Sequence, residues 1–427
     1  MPVWSVRGGR QLSGSVEVQG AKNAVLPIMA ASLVGGGVTC LRGCPALRDV
    51  DAAVDILRHL GCAVDRGEAG EIRIDARGVT GNHIPHSLMG RMRSSVMFLG
   101  AILARTGEAR LSAPGGCELG ARPIDLHLKA LEELGIEVSA QGAEVVCRGR
   151  LRGGHVNLDF PSVGATENLM MAACASSGET VVTNAAREPE IVDLQRYLNA
   201  AGAHIRGAGS AEIHILGFAP REQVEHTVMS DRIAAATWLC ACAGAGGDVL
   251  LKNARPEDVE TVCACLKEMG CGIVTGRDSI RIRSSGVLTA CRPVITRPYP
   301  GFPTDAQALL MAACLRARGT SVFVENIFEN RYRHAHELRR LGADIRVEGR
   351  VAMVTGVSAL RGAPVTAGDL RGGAALLLAG LAAGGETRIS DSGHLERGYD
   401  DPAGTLRALG ADVVREDGEQ AEPGIEN

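Results

Sequence analysis

Two helical patterns of apolar and polar positions recur along the chain about every 70 residues. The first is an amphipathic helix that ends in a leucine-rich phrase, then a glycine, then a short β-branched run. A glycine at this point is typical of the left-handed residue that ends a helix, and the run after it predicts a strand. Six phrases share the pattern: "LRHLGCAV", "LEELGIEV", "LNAAGAHI", "LKEMGCGI", "LRRLGADI" and "LRALGADV".

The second pattern is a helix that is apolar nearly all round and rich in small residues. A helix without a polar face has to be buried. Each is followed by a strand, a loop and the amphipathic helix, so the repeat predicts an α/β protein with two groups of three repeats, buried helices inside and sheets around them. The six helices are "NAVLPIMAASL", "SSVMFLGAILA", "TENLMMAACAS", "RIAAATWLCACA", "AQALLMAACLRA" and "GGAALLLAGLAA".

Length and composition narrow the class of protein. A chain of 427 residues is long enough for two domains, and the boundary between the third and fourth repeats falls within 228–231. A net charge of −4 provides no basic field for nucleic acid or an anionic membrane. The N-terminus lacks a secretory signal and the longest apolar runs, such as 374–383, are too short to cross a bilayer, so we expect a cytoplasmic protein.

The thirteen cysteines have no zinc-ligand spacing, so we expect reduced thiols and no metal site. We also expect no cofactor. The C-terminal residues 415–427 are acidic and lack apolar periodicity, which predicts a disordered tail.

Polar residues stand at the start of every buried helix. Helix capping is the better interpretation for Thr166, Asp231 and Asp369. Capping does not account for Lys22, Arg93 or Arg371, because cations oppose the helix dipole there. Their presence predicts that at least three helix starts converge on a phosphate or carboxylate ligand.

Two loops carry further candidate chemistry. Cys117 lies in the glycine-rich stretch "SAPGGCELGARPIDLH", five residues before Arg122, and Arg397 lies in "SGHLERGYDD". The two arginines occupy equivalent loops of the second and sixth repeats, which suits a site formed between the two domains.

With these residues in view, the chain resembles the family of UDP-N-acetylglucosamine 1-carboxyvinyltransferases, which are enolpyruvyl transferases. The pieces that carry the resemblance include "GAKNAVLPIMAASL", "PGGCELGARPIDLH", "SVGATENLMMAA", "FPTDAQ", "FENRYRHAHELRRLGAD" and "DLRGGAALLLAG". The resemblance implies two inverse α/β barrel domains, with the first strand in the C-terminal one. Residues 22–229 would then form the N-terminal domain with a lid loop at 112–123, and 1–21 with 230–414 the C-terminal domain.

The resemblance also implies a reaction and roles. The enolpyruvyl group of phosphoenolpyruvate would pass to the 3-hydroxyl of UDP-N-acetylglucosamine with release of phosphate, the first committed step of peptidoglycan precursor synthesis. Cys117 would be the general acid and Asp305 the base, while Lys22, Arg122 and Arg397 would hold phosphoenolpyruvate, Lys22 and Arg397 as part of the catalytic set. Residues implied in contacts with the sugar nucleotide or in support are Asn23, Arg93, Pro123, Ile124, Asp125, Leu126, Ser162, Val163, Gly164, Thr304, Ile327, Glu329 and Arg371.

Two alternatives remain open from the residues themselves. One is a sibling enzyme that transfers the enolpyruvyl group to shikimate 3-phosphate; the other is a catalytically silent protein that binds a UDP-sugar. The chain departs from the family at Ala234, where a glutamate is usual, and at Phe160, where some members carry a cation. Both departures bear on substrate affinity more than on the type of reaction.

Overall fold

The computed structural model describes residues 2–92, 94–112, 124–142 and 144–416. Within these ranges, the residues up to Gln19 and from Ser230 onward form one compact unit, and Gly20–Met229 forms another. We call them the terminal unit and the mid-chain unit. The chain therefore passes from one to the other twice, between Gln19 and Gly20 and between Met229 and Ser230.

The helices of the mid-chain unit are α1 Lys22–Gly35, α2 Arg48–His59, α3 His86–Met89, α4 Phe98–Thr106, α5 Asp125–Glu133, α6 Val163–Ala173 and α7 Pro189–Ala201. Those of the terminal unit are α8 Arg232–Ala245, α9 Glu260–Glu268, α10 Thr304–Cys314, α11 His334–Arg340, α12 Leu370–Ala382 and α13 Pro402–Ala408. Short 3₁₀ helices lie at Ser95–Met97, Pro256–Val259 and Leu395–Arg397.

The strands of the mid-chain unit are β3 Val38–Arg42, β4 Ala63–Arg66, β5 Ile72–Asp75, β6 His83–Ile84, β7 Glu108–Ser112, β8 Glu137–Gln141, β9 Glu144–Arg148, β10 Arg152–Asn157, β11 Ser177–Thr183, β12 Ala203–Arg206, β13 Glu212–Phe218 and β14 Gln223–Thr227. The strands of the terminal unit are β1 Val3–Arg7, β2 Leu12–Glu17, β15 Gly247–Lys252, β16 Gly272–Thr275, β17 Ser279–Ser284, β18 Val294–Ile295, β19 Thr320–Val324, β20 Asp344–Glu348, β21 Val351–Thr355, β22 Pro364–Ala367, β23 Glu386–Asp391 and β24 Asp412–Glu416.

Within the residues that the structure describes, each unit holds three four-stranded sheets with the same strand order. The first strand runs parallel to the second, and the second, third and fourth are antiparallel neighbours, as in β10-β11-β13-β12 and β18-β19-β21-β20. The sheets surround three mutually packed helices, α1, α4 and α6 in the mid-chain unit and α8, α10 and α12 in the terminal unit. This is the predicted arrangement of buried helices with sheets around them.

The six glycines of the sequence phrase all have the backbone conformation expected of them. Their φ angles lie between 87° and 113°, a region that side chains other than glycine adopt with strain. Because this conformation ends the outer helix, the chain turns at once into the next strand, which fixes the repeat. The residues are Gly61, Gly135, Gly202, Gly270, Gly342 and Gly410.

At each crossing of the chain between the units, the last strand before the crossing stays in the unit that the chain is leaving. Strand β2 comes just before α1 in the chain but pairs in parallel with β15 of the terminal unit. Strand β14 comes just before α8 but pairs in parallel with β3 of the mid-chain unit. Strand β1 lies between β23 and β24, so the two ends of the described chain share one sheet.

The expected start of the tail at residue 415 is wrong by two residues. Arg415 and Glu416 belong to β24, where they pair with Trp4 and Val3. Their side chains have ionic partners in Glu396 and Arg388. A strand that completes a sheet needs only a short run of alternating positions, which the acidic composition of this end obscures.

Candidate functional site

A carboxylate between two buried arginines marks the start of α10. Asp305 lies in the first turn, and its Oδ1 is 2.7 Å from Nη2 of Arg331, while its Oδ2 is 3.1 Å from Nη2 of Arg371. The side chain of Asp305 is 29% exposed and those of both arginines are 5% exposed. The carboxylate is thus the most exposed of the three side chains in the cluster.

Arg371 is fixed from its other side as well. Its Nη1 donates to the hydroxyl of Tyr399 at 3.3 Å, and that hydroxyl is 2.9 Å from Oγ1 of Thr237 on α8. Burial by itself would lower the pKa of Arg371, but the charge of Asp305 and the Tyr399 phenol raise it above its ordinary value. The guanidinium therefore stays charged inside the unit.

Arg331 belongs to this cluster although the sequence did not single it out. It lies in "FENRYRH", beside Arg333, and sequence alone gives no reason to prefer one arginine. Arg331 is buried and pairs with Asp305, whereas Arg333 is exposed. The neighbouring predicted residue Glu329 is exposed and Ile327 is half-buried. Among the described side chains, Arg331 rather than Glu329 lies beside the Asp305 carboxylate with Arg371.

At the start of α1 lies an ion pair in which the carboxylate, rather than the cation, is the more deeply buried partner. Nζ of Lys22 is 2.7 Å from Oδ2 of Asp49 in the first turn of α2. The carboxylate is 1% exposed and the lysine side chain 12%. Asn23 follows on the same helix and is half-buried. The cations Lys22 and Arg371 at helix starts thus have protein carboxylates as partners, which offsets their unfavourable interaction with the helix dipole.

The residues predicted on the uridine side lie at the starts of α5 and α6. Ile124 precedes α5, Asp125 and Leu126 begin it, and Ser162 caps α6 ahead of Val163 and Gly164. The two helix starts are tied together inside the mid-chain unit through Asn168 and His127.

Asn168 connects these elements. Its Nδ2 is 2.8 Å from Nδ1 of His127 on α5, and its Oδ1 accepts from the backbone N–H of Gly100 on α4 at 2.6 Å. The His127 ring lies against Gly164, where an added Cβ would be 2.9 Å from Cε1. Only glycine therefore allows α5 and α6 to come this close.

Arg397 ends the 3₁₀ helix Leu395–Arg397 and is half-buried. Thr304 begins α10, and its hydroxyl donates to the buried carboxylate of Glu325 at 2.9 Å. Four predicted site residues, Arg93, Cys117, Arg122 and Pro123, lie outside the described residues, as does the lid loop from 113 to 123. The roles given to them stay predictions.

The helix-capping predictions are confirmed at two of three positions. Asp231 accepts from the N–H groups of Ile233 and Ala234, and Asp369 from those of Arg371 and Gly372.

The prediction is wrong for Thr166, because Ser162 is the residue with an extended backbone and it caps α6. The Thr166 hydroxyl instead accepts from the N–H of Ala186 at 3.0 Å. Of the two departures from the family pattern, Ala234 is fully buried and Phe160 is 41% exposed.

The described cysteines are free thiols and almost all are buried. Burial raises the pKa of Cys44 and Cys174 to about 12, so these thiols are protonated and inert. Within the part of the chain that the structure describes, no group of histidine, cysteine or carboxylate side chains could hold a metal ion. None of the helices described is long and apolar enough to cross a membrane.

Comparison with known proteins gives matches over nearly the whole chain. A profile of the family described as EPSP synthase (3-phosphoshikimate 1-carboxyvinyltransferase) matches residues 6–421. The protein named UDP-N-acetylglucosamine 1-carboxyvinyltransferase 2 of Caldanaerobacter subterraneus subsp. tengcongensis is 47% identical over 416 residues, which cover 97% of this chain and 100% of that protein. UDP-N-acetylglucosamine 1-carboxyvinyltransferase 1 of Halalkalibacterium halodurans is 48% identical over 413 residues, 96% of this chain and 93% of its own.

Solved structures share the fold. The enolpyruvyl transferase NikO from Streptomyces tendae matches with a TM-score of 0.86 and 26% identity, over 97% of this chain and 98% of its own. EPSP synthase from Acinetobacter baumannii matches with a TM-score of 0.72 and 20% identity, over 98% and 100% of the two chains, a likeness of fold alone. The predicted fold class is confirmed.

Proposed function

Because the chain belongs to the EPSP synthase family of 1-carboxyvinyltransferases, we propose that it transfers the enolpyruvyl group of phosphoenolpyruvate to the 3-hydroxyl of UDP-N-acetylglucosamine and releases phosphate. The observation that carries the choice of acceptor is the identity of 47% and 48% with two proteins named for that activity, over at least 93% of every chain compared. The solved EPSP synthase is only 20% identical.

The reaction needs one acid and one base. The oxygen of the sugar hydroxyl bonds to C2 of phosphoenolpyruvate, while the methylene carbon C3 gains a proton and the hydroxyl loses one. Loss of a proton from C3 and of phosphate from C2 then restores the double bond. Because the reactant carries a phosphate and a carboxylate, the site also needs several cations, which arginine and lysine supply.

Asp305 is the base in this proposal. Its support is the geometry of the α10 start, where a carboxylate that is 29% exposed is held by Arg331 and Arg371. Two bonds to buried guanidinium groups fix its orientation, so that the hydroxyl proton has a positioned acceptor. Cys117 would deliver the proton to C3 as general acid.

The remaining roles follow the family resemblance. Lys22, Arg122 and Arg397 would bind phosphoenolpyruvate, and Asn23, Arg93 and Thr304 would contact the anionic groups or the sugar nucleotide. Residues 123–126 and 162–164 would bind the uridine diphosphate and Ile327 the sugar, with Glu329 and Arg371 in support. The activity would be the first committed step of peptidoglycan precursor synthesis in the cytoplasm, and so contribute to cell wall formation, cell shape and division.

Phosphate release from phosphoenolpyruvate tests the proposal. Purified enzyme is given UDP-N-acetylglucosamine, shikimate 3-phosphate or no acceptor, each with and without a chelator. Of the three acceptor conditions, we expect phosphate release only with UDP-N-acetylglucosamine. The chelator should leave that release unchanged, since no described group could hold a metal ion. Release with shikimate 3-phosphate would favour the sibling activity, and binding of the UDP-sugar without any release would favour a silent binding protein.

A further inference from the structure

Two loops of the terminal unit share an arrangement that the proposed chemistry does not use directly. Each has a buried carboxylate where a strand ends, six residues before an arginine. Glu325 follows β19 and precedes Arg331, and Asp391 ends β23 and precedes Arg397. The two acidic residues are 1% and 0% exposed.

The carboxylate of Glu325 accepts four hydrogen bonds. Its Oε1 accepts from the N–H of Ile327 at 2.8 Å, from the N–H of Phe328 at 3.1 Å and from Oγ1 of Thr296 at 3.0 Å. Its Oε2 accepts from Oγ1 of Thr304 at 2.9 Å. One side chain therefore joins the end of β18, the start of α10 and its own loop.

Asp391 repeats the pattern. Its Oδ1 accepts from the N–H groups of Gly393 and His394 at 3.1 and 2.7 Å. Its Oδ2 accepts from the N–H of Leu395 at 3.1 Å and from the indole Nε1 of Trp4 at 3.3 Å. The same device thus shapes the loop that carries Arg397.

Bending the chain after a strand does not need a carboxylate. After β11 and β15 the corresponding positions are Asn184 and Asn253, which adopt φ of 53° and 51° and donate one side-chain hydrogen bond each to a neighbouring backbone carbonyl. Burying a carboxylate is strongly unfavourable unless its lone pairs are satisfied. In return it forms charge-assisted bonds about twice as strong as neutral ones.

We propose that Glu325 is a positioning residue for Asp305, an inference that rests on the proposed role of Asp305 as base. Glu325 acts by two routes. Through Thr304 it holds the first residue of α10, directly before Asp305. Through the amides of its own loop it sets the path of the chain to Arg331, whose Nη2 donates to Oδ1 of Asp305 at 2.7 Å.

The first variant is Glu325→Gln, which keeps the shape but turns an amide NH₂ toward donors. We expect kcat to fall by about 10- to 100-fold, with KM for either substrate within about twofold of wild type, because a base displaced by about 1 Å costs on the order of 100-fold in rate. The matched control is Glu337→Gln, which also removes the charge of a glutamate that accepts a backbone N–H, from Thr366 at 2.9 Å. It should leave kcat unchanged.

Thr296→Val and Thr296→Ser provide the test if Glu325→Gln does not fold. The first removes one donor to Glu325 without a change of charge, and the second restores the hydroxyl. We expect kcat per folded enzyme to fall in the valine variant and to return in the serine variant. A purely structural role predicts a lower melting temperature with kcat per folded enzyme unchanged in both, and that result would overturn the proposal.

A crystal structure of Glu325→Gln supplies a readout that does not depend on activity. The proposal expects the Asp305 to Arg331 contact to lengthen beyond hydrogen-bonding distance, and an unshifted pair would overturn it. Absence of turnover in the wild-type enzyme would contradict the proposed function instead, while this structural comparison would still decide the role of Glu325.

Discussion

The starts of α1 and α10 carry ionic clusters that differ in which charge is more exposed, the cation at α1 and the carboxylate at α10. At α1 the carboxylate of Asp49 is 1% exposed and Lys22 is 12% exposed. At α10 the two arginines are 5% exposed and Asp305 is 29% exposed. The more accessible group is therefore an ammonium in the mid-chain unit and a carboxylate in the terminal unit.

Under the proposed function, the two similar helix starts have different roles. An accessible ammonium on a buried carboxylate suits an anionic reactant such as phosphoenolpyruvate. An accessible carboxylate on buried guanidinium groups suits a hydroxyl that must lose a proton. The buried partner in each case orients the accessible group.

The largest effect is expected from Asp305→Asn. The amide keeps the size of the carboxylate but not its basicity, so kcat should fall on the order of 100-fold to 10,000-fold while UDP-N-acetylglucosamine binding is retained. Phosphate release and calorimetric titration measure the two quantities. Asp278→Asn, at a side chain that is 64% exposed, is the control. Turnover near that of wild type would remove Asp305 from the role of base.

Lys22→Met should have the next largest effect. The variant keeps the apolar stem and loses the ammonium, so KM for phosphoenolpyruvate should rise by about 10- to 100-fold, as expected for a lost hydrogen bond to a charged group. The exposed Lys267 on α9 provides the control variant Lys267→Met. An unchanged KM for phosphoenolpyruvate would contradict the comparison, because the α1 start would then not bind the anion.

Tyr399→Phe tests how firmly the arginine side of the α10 cluster has to be held. The variant removes the hydroxyl that links Arg371 to Thr237. We expect the free energy of unfolding to decrease by about 1 kcal/mol and kcat to fall by only a few-fold. Denaturant titration and steady-state kinetics check both numbers. A loss of kcat as large as that of Asp305→Asn would show that the hydroxyl does more than orient Arg371.

The last effect is on stability rather than turnover, and it depends on pH. Burial lowers the pKa of His334 to about 4; Asp369 opposes that shift and Arg331 adds to it. In the unfolded chain the histidine titrates near 6.5, so between about pH 6.5 and 4 the unfolded state binds more protons. The free energy of unfolding should therefore decrease as pH falls through this range.

The His334→Asn variant separates this contribution from that of other groups. Its free energy of unfolding, measured by denaturant titration at several pH values, should change less steeply between pH 6.5 and 4 than that of wild type. Equal slopes would mean that His334 is not kept neutral beside the α10 cluster.

Much of the fold could be predicted from the sequence because a glycine is needed for the same backbone conformation at six equivalent positions. Each phrase glycine ends a helix with positive φ, so the period of the phrase is the period of the fold. The exchange of β2 and β14 could not be derived in this way. Both strands precede a buried helix in the chain, and only tertiary packing decides which sheet each one completes.

The family resemblance marked Asp305, but residue type alone does not separate equal candidates. Asp231 and Asp369 are also acidic residues at the starts of buried helices, and Arg331 and Arg333 differ only in burial. Ser162 and Thr166 are both capping residues by type, and the cap goes to the one whose backbone is extended. Glu325 is a glutamate at a strand end, and its four partners come from three separate segments.

The transfer itself can be followed directly by NMR with phosphoenolpyruvate labelled with carbon-13 at C2. The enzyme is incubated with the labelled compound and UDP-N-acetylglucosamine, and the product is examined for the bond that C2 has formed. The account predicts an enol ether between C2 and the 3-oxygen of the sugar, formed together with one equivalent of phosphate. Labelled carbon that remains in phosphoenolpyruvate, or that appears as pyruvate with the sugar nucleotide unchanged, would contradict it.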